Sequence, residues 1–439
     1  VLSNTSAGLI DINVNQAQKA VGAGCFPYIL NDYSIHGFYA SPTSGQSLEN
    51  VKDVLISQLD EIKRGNFPDW ILDAIISDLK LEQIKKYESN NGRTDDFVDA
   101  FILDKSWEEY SSFLNDLSKI KKQDIVDFVK KNYNDNYVVV YKRTGDDPNA
   151  IKVTKPQITP VSVNRDSKSE FLASVLEKEV NDIEPRFVNF SSDLKSDLIN
   201  QVPLIYKQNE ENERFQLTYV LDFGTDNDKR LKLAVDYLKF LGTDKISASE
   251  KLEQFYKLGC DLKVTSDSKS TKINLSGLSS NLDQSLSLLE DILSNAIGDD
   301  NALANLKLNY EKQKRDAKLN KQTILFSAMT SFARYGSNSS FTNILSNEEL
   351  KNISSEELID LIKSLTKKEH RILFYGPEKI EEIKSLISKY HNTTDLVSIP
   401  KINLNTEREM NSNQIFVVDY EMKQAEIIMY ARGSKLDND

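Results

Sequence analysis

Residues 233–243 read LAVDYLKFLGT, and a second helix-like stretch, SEKLEQFYKLGCDL, follows at 249–262. Leu231, Ala234, Val235, Leu238 and Leu241 recur with a 3.6-residue period, while Leu233, Tyr237 and Phe240 cover much of the remaining circumference. That pattern predicts a helix buried on nearly every side. Gly242 stands just past the last periodic residue, where glycine commonly stops a helix. The stretch carries no histidine or cysteine, so its burial calls for an explanation other than a set of metal ligands.

The rest of the chain repeats the surroundings of this helix. SLENVKDVLISQL at 47–59 matches SLSLLEDILSNAI at 285–297, DIVDFVK at 124–130 matches ELIDLIK at 357–363, and strand-like YVVVYK at 137–142 matches RILFYG at 371–376. The three matches keep their order at a nearly constant offset of about 235 residues, the mark of a duplicated unit. Each unit opens with alternating apolar residues, YSIHGFYA at 33–40 or TKINLSGL at 271–278. An amphipathic helix, a long charged helix, further helices and a closing apolar strand follow. The expected fold class is α+β: two homologous domains, each a largely antiparallel sheet with helices packed on one face, joined by an extended linker.

Ahead of its strand, the second unit carries PLIYKQNEENERFQLTYVLDFG at 203–224, which reads as two strands about a polar turn. QIFVVDYEMKQAEIIMYARG at 414–433 repeats it, as the opening hairpin of a further domain. The first unit has only 32 residues ahead of Tyr33 and is expected to lack its own opening hairpin, which makes the chain a piece of a longer protein. Residues 151–190 contain Pro156, Pro160 and Pro185 and one short helix-like segment, the composition of a partly ordered linker.

The chain has 439 residues, 39% hydrophobic and 28% charged, a globular composition sufficient for two or three domains. A net charge of −12 and the lack of clustered basic residues argue against nucleic acid as a partner. No apolar run is long enough for a transmembrane segment. Cys25 and Cys260 form no CxxC pair and read as free thiols.

On the helix with its Gly-Thr stop, the linker ITPVSVNRDSKSEF…EPRFVNF and the domain period, the chain resembles the insulinase/pitrilysin family of zinc metallopeptidases. In that family four homologous α+β domains share one chain, and the active domain carries His-x-x-Glu-His on this helix. Aligning Gly242-Thr243 with the family's stop places Leu233 and Tyr237 at the two histidines and Asp236 at the catalytic glutamate. Two imidazoles one turn apart hold Zn²⁺, and the glutamate takes a proton from its water. Leucine, aspartate and tyrosine do not make that set. The resemblance therefore implies a non-catalytic part of a large zinc-dependent endopeptidase, forming part of a peptide-enclosing chamber. It implies Zn in the parent protein but no metal or catalytic residue in this chain.

The implied organisation is a truncated second-domain-like unit at 1–150, a linker at 151–200, a third-domain-like unit without the zinc motif at 201–392, and a linker with the opening hairpin of a further domain at 393–439. Peptide substrates and the remaining domains of the parent are the implied partners, and the periplasm the implied compartment. His36, His370 and His391 are the chain's three histidines, and none is spaced as a zinc pair. In the family's second domain a Gly-Gly strand captures the amino-terminal part of the peptide. Gly22, Ala23 and Gly24, followed by CFPYIL, match that position as a possible substrate exosite, with Ala23 where the family has its second glycine. A second reading is an inactive scaffold or core-subunit relative of the same family. An unrelated α+β repeat that binds peptides is a third.

Overall fold

The computed structural model describes residues 1–4, 6–145, 148–149, 151, 153–185, 187–421 and 425–433. The chain falls into two compact units, Val1–Asp135 together with Leu194–Asp439, and Asn136–Asp193. The fold is α+β, with one two-stranded antiparallel sheet, one six-stranded mixed sheet and helices between the strands.

The two-stranded sheet pairs β1 (Gly22–Tyr28) with β2 (Ile35–Ser41). The helices Leu48–Lys63, Ile71–Tyr87 and Lys122–Asn132 follow it. Val51, Leu55, Leu59 and Ile62 lie on one stripe of the first helix and pack with Ile10, Val14, Ile71, Val126 and Val129. The amphipathic spacing of 47–59 thus folds as expected: Ser47 accepts from the Asn50 amide, and the 3.6-residue stripe closes onto the sheet.

The six-stranded sheet contains β3 (Lys195–Ile199), β4 (Val202–Gln208), β5 (Arg214–Leu221), β6 (Cys260–Ser266), β7 (Thr271–Leu278) and β8 (Arg371–Gly376). Its order is β3-β4-β8-β5-β7-β6. Every neighbouring pair is antiparallel except β4 with β8. The strands expected to form a hairpin at 203–224 are therefore not neighbours, because β8 lies between them. The turn permits this. Asn209 accepts from the amides of Glu211 and Asn212 through its side chain, while its own amide donates to Gly376 at the end of β8. Helices Leu231–Leu238, Leu282–Asn295, Ser355–Leu365 and Ile380–Tyr390 share one core with Val202, Leu204, Phe215, Leu217, Ile273, Leu275, Ile372 and Phe374.

Two expected strand regions have no strand. Residues 137–142 match β8, yet they carry no ladder, and Val138 and Val140 are 90% and 88% exposed. In the second half β8 is gripped by β4 and β5, whereas β1 and β2 correspond to β6 and β7, which β8 does not touch. A strand matching β8 has no ladder partner of that kind in the first half. Residues 414–421 and 425–433 likewise form no strand, and the expected turn at 422–424, like residues 434–439 of the expected further domain, lies outside the described residues. A two-stranded hairpin with no sheet to join is marginal in water. The unit Asn136–Asp193 contains the short helices Glu170–Leu176 and Phe190–Asp193.

The two halves flanking that unit contact each other directly. Arg214 on β5 donates to both carboxylate oxygens of Glu88, from Nε at 2.8 Å and Nη2 at 2.6 Å, and Asn212 Nδ2 donates at 3.2 Å. The guanidinium holds the Glu88 carboxyl below its ordinary range. A carboxyl depressed in the folded state stabilises above its unfolded pKa of about 4.3, and the contribution disappears as pH falls through the folded value. Glu88→Gln should lower stability by about 1 kcal/mol at pH 7. In urea unfolding the gap to the wild type should close below about pH 4; a gap that ignores pH would assign the effect to packing.

Candidate functional site

The Leu231–Leu238 helix packs as its sequence predicts: Leu231, Leu233, Ala234, Tyr237 and, just beyond its end, Leu241 are fully buried. Each of the three family-motif positions is committed to this packing. Leu233 is in the core and offers no donor atom. The Tyr237 hydroxyl accepts from the Asp299 amide at 2.7 Å and lies 2.8 Å from the Asp299 carbonyl and 2.7 Å from Ser355 Oγ. Asp236 accepts from Lys232 at 3.1 Å and from the Tyr310 hydroxyl. A zinc ion does not fit here, since one position has no lone pair and the other two are bonded within the protein. Among the described residues no group of three or more His, Cys, Asp or Glu is placed to hold a metal.

The end of the helix explains the Gly-Thr stop. A Cβ at Gly242 would lie 2.3 Å from the Ile246 carbonyl oxygen, so only glycine lets the following loop close. Lys251, on the helix Ala248–Lys257, reaches back and donates to the carbonyls of Leu238 at 2.7 Å, Leu241 at 2.6 Å and Lys239 at 3.3 Å. These carbonyls lie at the helix end, where the Leu238 carbonyl also accepts from the Leu241 amide, and the ammonium bonds all three. Burial pushes its pKa down to about 7. Beside Lys251 a cavity of about 320 Å³ opens between the two helices and the edge strand β6, lined by Val235, Leu238, Phe255, Leu262 and Val264. With no nucleophile and base in contact, it offers shape rather than chemistry.

Gly22, Ala23 and Gly24 form the first three residues of β1. Ala23 turns its backbone away from β2: its amide donates to Asn15 Oδ1 at 2.8 Å and its carbonyl accepts from Asn15 Nδ2 at 2.9 Å. The asparagine amide, presented by the π-helical turn Asp11–Gln16, thereby takes the place a neighbouring strand would have at Ala23. Gly24 sits opposite Tyr39 in the ladder, and a Cβ there would meet that ring at 2.7–3.1 Å. Gly37 makes the same room for Phe26. At Gly22 a Cβ would meet nothing within 4 Å. Two of the three exosite positions are thus engaged in local structure, and Gly22 is open.

The structure also joins two residues that sequence spacing leaves apart. His370 Nε2 and His391 Nε2 lie 2.9 Å from each other, with Glu290 2.9 Å from His391 Nδ1. His370 directly precedes β8, and His391 directly follows the helix Ile380–Tyr390 that runs back along it. A strand and the helix returning over it bring those two flanks to the same end of the layer, the signal by which the pair could have been found. His36 stands elsewhere, on β2, with its Nδ1 2.5 Å from the Tyr133 hydroxyl. Both cysteines are free thiols; Cys25 is half-buried and Cys260 buried.

No family model and no curated protein matches the chain. Among solved structures, it is similar to the inactive domain of an M16 peptidase from Pseudomonas fluorescens, at 15% identity and a TM-score of 0.42 over 48% of this chain and 53% of that one. It is similar to the periplasmic protease PqqL from Escherichia coli at 14% identity and a TM-score of 0.43, over 90% of this chain and 46% of that one. The ferredoxin protease FusC, solved as a mutant in complex with Arabidopsis ferredoxin, gives 12% identity and a TM-score of 0.45, over 89% of this chain and 46% of that one. The chain spans about half the length of these solved structures.

Proposed function

We propose that this chain is a non-catalytic portion of a large zinc-dependent endopeptidase and forms part of the wall that encloses its peptide substrates. The observation that carries the reading is the Leu231–Leu238 helix. It is buried and followed by the Gly242-Thr243 stop on which the family resemblance rests, while Leu233, Asp236 and Tyr237 are held in packing and hydrogen bonds. Zinc and the residues that act with it belong, on this reading, to other domains of the parent protein. This chain contributes surface.

Its contribution to substrate binding is placed at β1, where Gly22 leaves space for a peptide backbone and Phe26, Tyr28 and Ile29 are exposed just beyond. An extended peptide meets the strand at Gly22, ahead of the edge groups of Ala23 that Asn15 holds.

Two experiments test these statements. The full-length parent should hydrolyse unfolded peptides and lose that activity with a chelator, while this chain alone is inert and takes up no stoichiometric zinc by elemental analysis. Peptidase activity absent from the parent as well would favour an inactive scaffold. In the parent, Gly22→Val should raise the Kd or KM for long peptides severalfold with little change in thermal stability, because nothing in the fold occupies that space. Unchanged peptide affinity would remove the exosite.

A further inference from the structure

Four buried side chains from four elements form one hydrogen-bonded line: Tyr219 of β5, Glu290 of the helix Leu282–Asn295, His391 after the last helix and His370 before β8. An acceptor at one end, the Lys368 carbonyl, and a donor at the other, the Tyr219 hydroxyl, bound the line. The Lys368 carbonyl, 2.7 Å from His370 Nδ1, can only accept, so that nitrogen carries hydrogen. A neutral His370 then has a bare Nε2, which accepts from Nε2–H of His391. His391 Nδ1 and Glu290 Oε1 share a single proton between them, and the Tyr219 hydroxyl donates to the same carboxyl oxygen at 2.8 Å. Whichever of the two holds that proton, the line has no net charge. An additional proton on His370 Nε2 would set two N–H groups against each other at 2.9 Å.

The pair also fastens a strap. His391 closes the end of its helix through its amide to the Ile387 carbonyl. The chain beyond returns to the residues ahead of His370: the Val397 amide donates to the Lys367 carbonyl at 2.8 Å, and the Glu369 amide to the Val397 carbonyl at 2.9 Å. Other charges nearby are turned elsewhere. Lys389 pairs with Asp283 at 3.3 Å, the Lys368 ammonium lies over the Phe223 ring at 4.3 Å, and Glu369 is exposed. Among the described residues no further ionisable side chain hydrogen-bonds the four.

We propose that the His370–His391 contact is an acid-released clasp, which holds segment 391–399 against the residues ahead of β8 at neutral pH and lets it go when His370 takes a second proton. Burial pushes His370 down to about 4, against an ordinary value near 6.5. A histidine depressed in the closed state stabilises that state fully above about 6.5, and the contribution drains away as pH falls towards about 4. Opening of the strap should therefore rise about tenfold for each pH unit below 6.5.

The test is hydrogen exchange of the whole chain from pH 7 to 4.5, corrected for intrinsic exchange. The protection of the Val397 and Glu369 amides should fall about tenfold per unit, while β7 amides keep theirs. His370→Gln, which can still donate to Lys368 and accept from His391 but does not titrate, should make the strap insensitive to pH. If that variant does not fold, NMR of the wild type decides, since only three histidines need assigning: the His370 ring should titrate well below 6.5 and in step with strap exchange. Constant protection, loss of β7 protection in parallel, or a His370 midpoint near 6.5 would each overturn the clasp.

Discussion

The six-stranded sheet depends on one late pairing. β8 arrives some 150 residues after β5 and slots between β5 and β4, parallel to one and antiparallel to the other. Until it does, β4 and β5 are not joined, and the helices Ser355–Leu365 and Ile380–Tyr390 that flank β8 have no layer to cover. Long-range pairing of this kind is costly in chain entropy and is repaid only when the apolar faces close together. Ile372 and Phe374 supply that closure from within the core. The same dependence accounts for residues 137–142 in the first half, where a similar sequence without flanking partners stays out of any sheet.

Burial and internal hydrogen bonds explain why the Leu231–Leu238 helix is a structural element. Leu233 in the core contributes about 2 kcal/mol by removal from water. Tyr237 is buried with its hydroxyl fully bonded, so its polar atom carries no desolvation penalty. Lys251 then binds the buried carbonyls of Leu238 and Leu241 at the helix end. The helix is retained because the sheet needs a cover.

A comparable economy holds at β1. Asn15 satisfies the outward backbone of Ala23, which blunts an edge that would otherwise invite pairing. The glycines at 24 and 37 serve their cross-strand aromatic partners. Of the three glycines in the β1–β2 ladder, Gly22, Gly24 and Gly37, only Gly22 leaves space unclaimed by the protein itself.

The sequence by itself determined the α+β class, the amphipathic helices and the absence of imidazoles at 233 and 237, because periodicity, capping and residue chemistry are local properties of the chain. It also placed β7 at 271–278 and the β8 strand at 371–376. The tertiary structure decided what depends on partners distant along the chain. It split the expected 203–224 hairpin around β8, and it left 137–142 and the described parts of 414–433 without ladders. It gave the edge at Ala23 to Asn15, and it set His370 against His391. A strand's existence and a histidine's proton both depend on what lies across from them, and that neighbour is fixed only when the layers close.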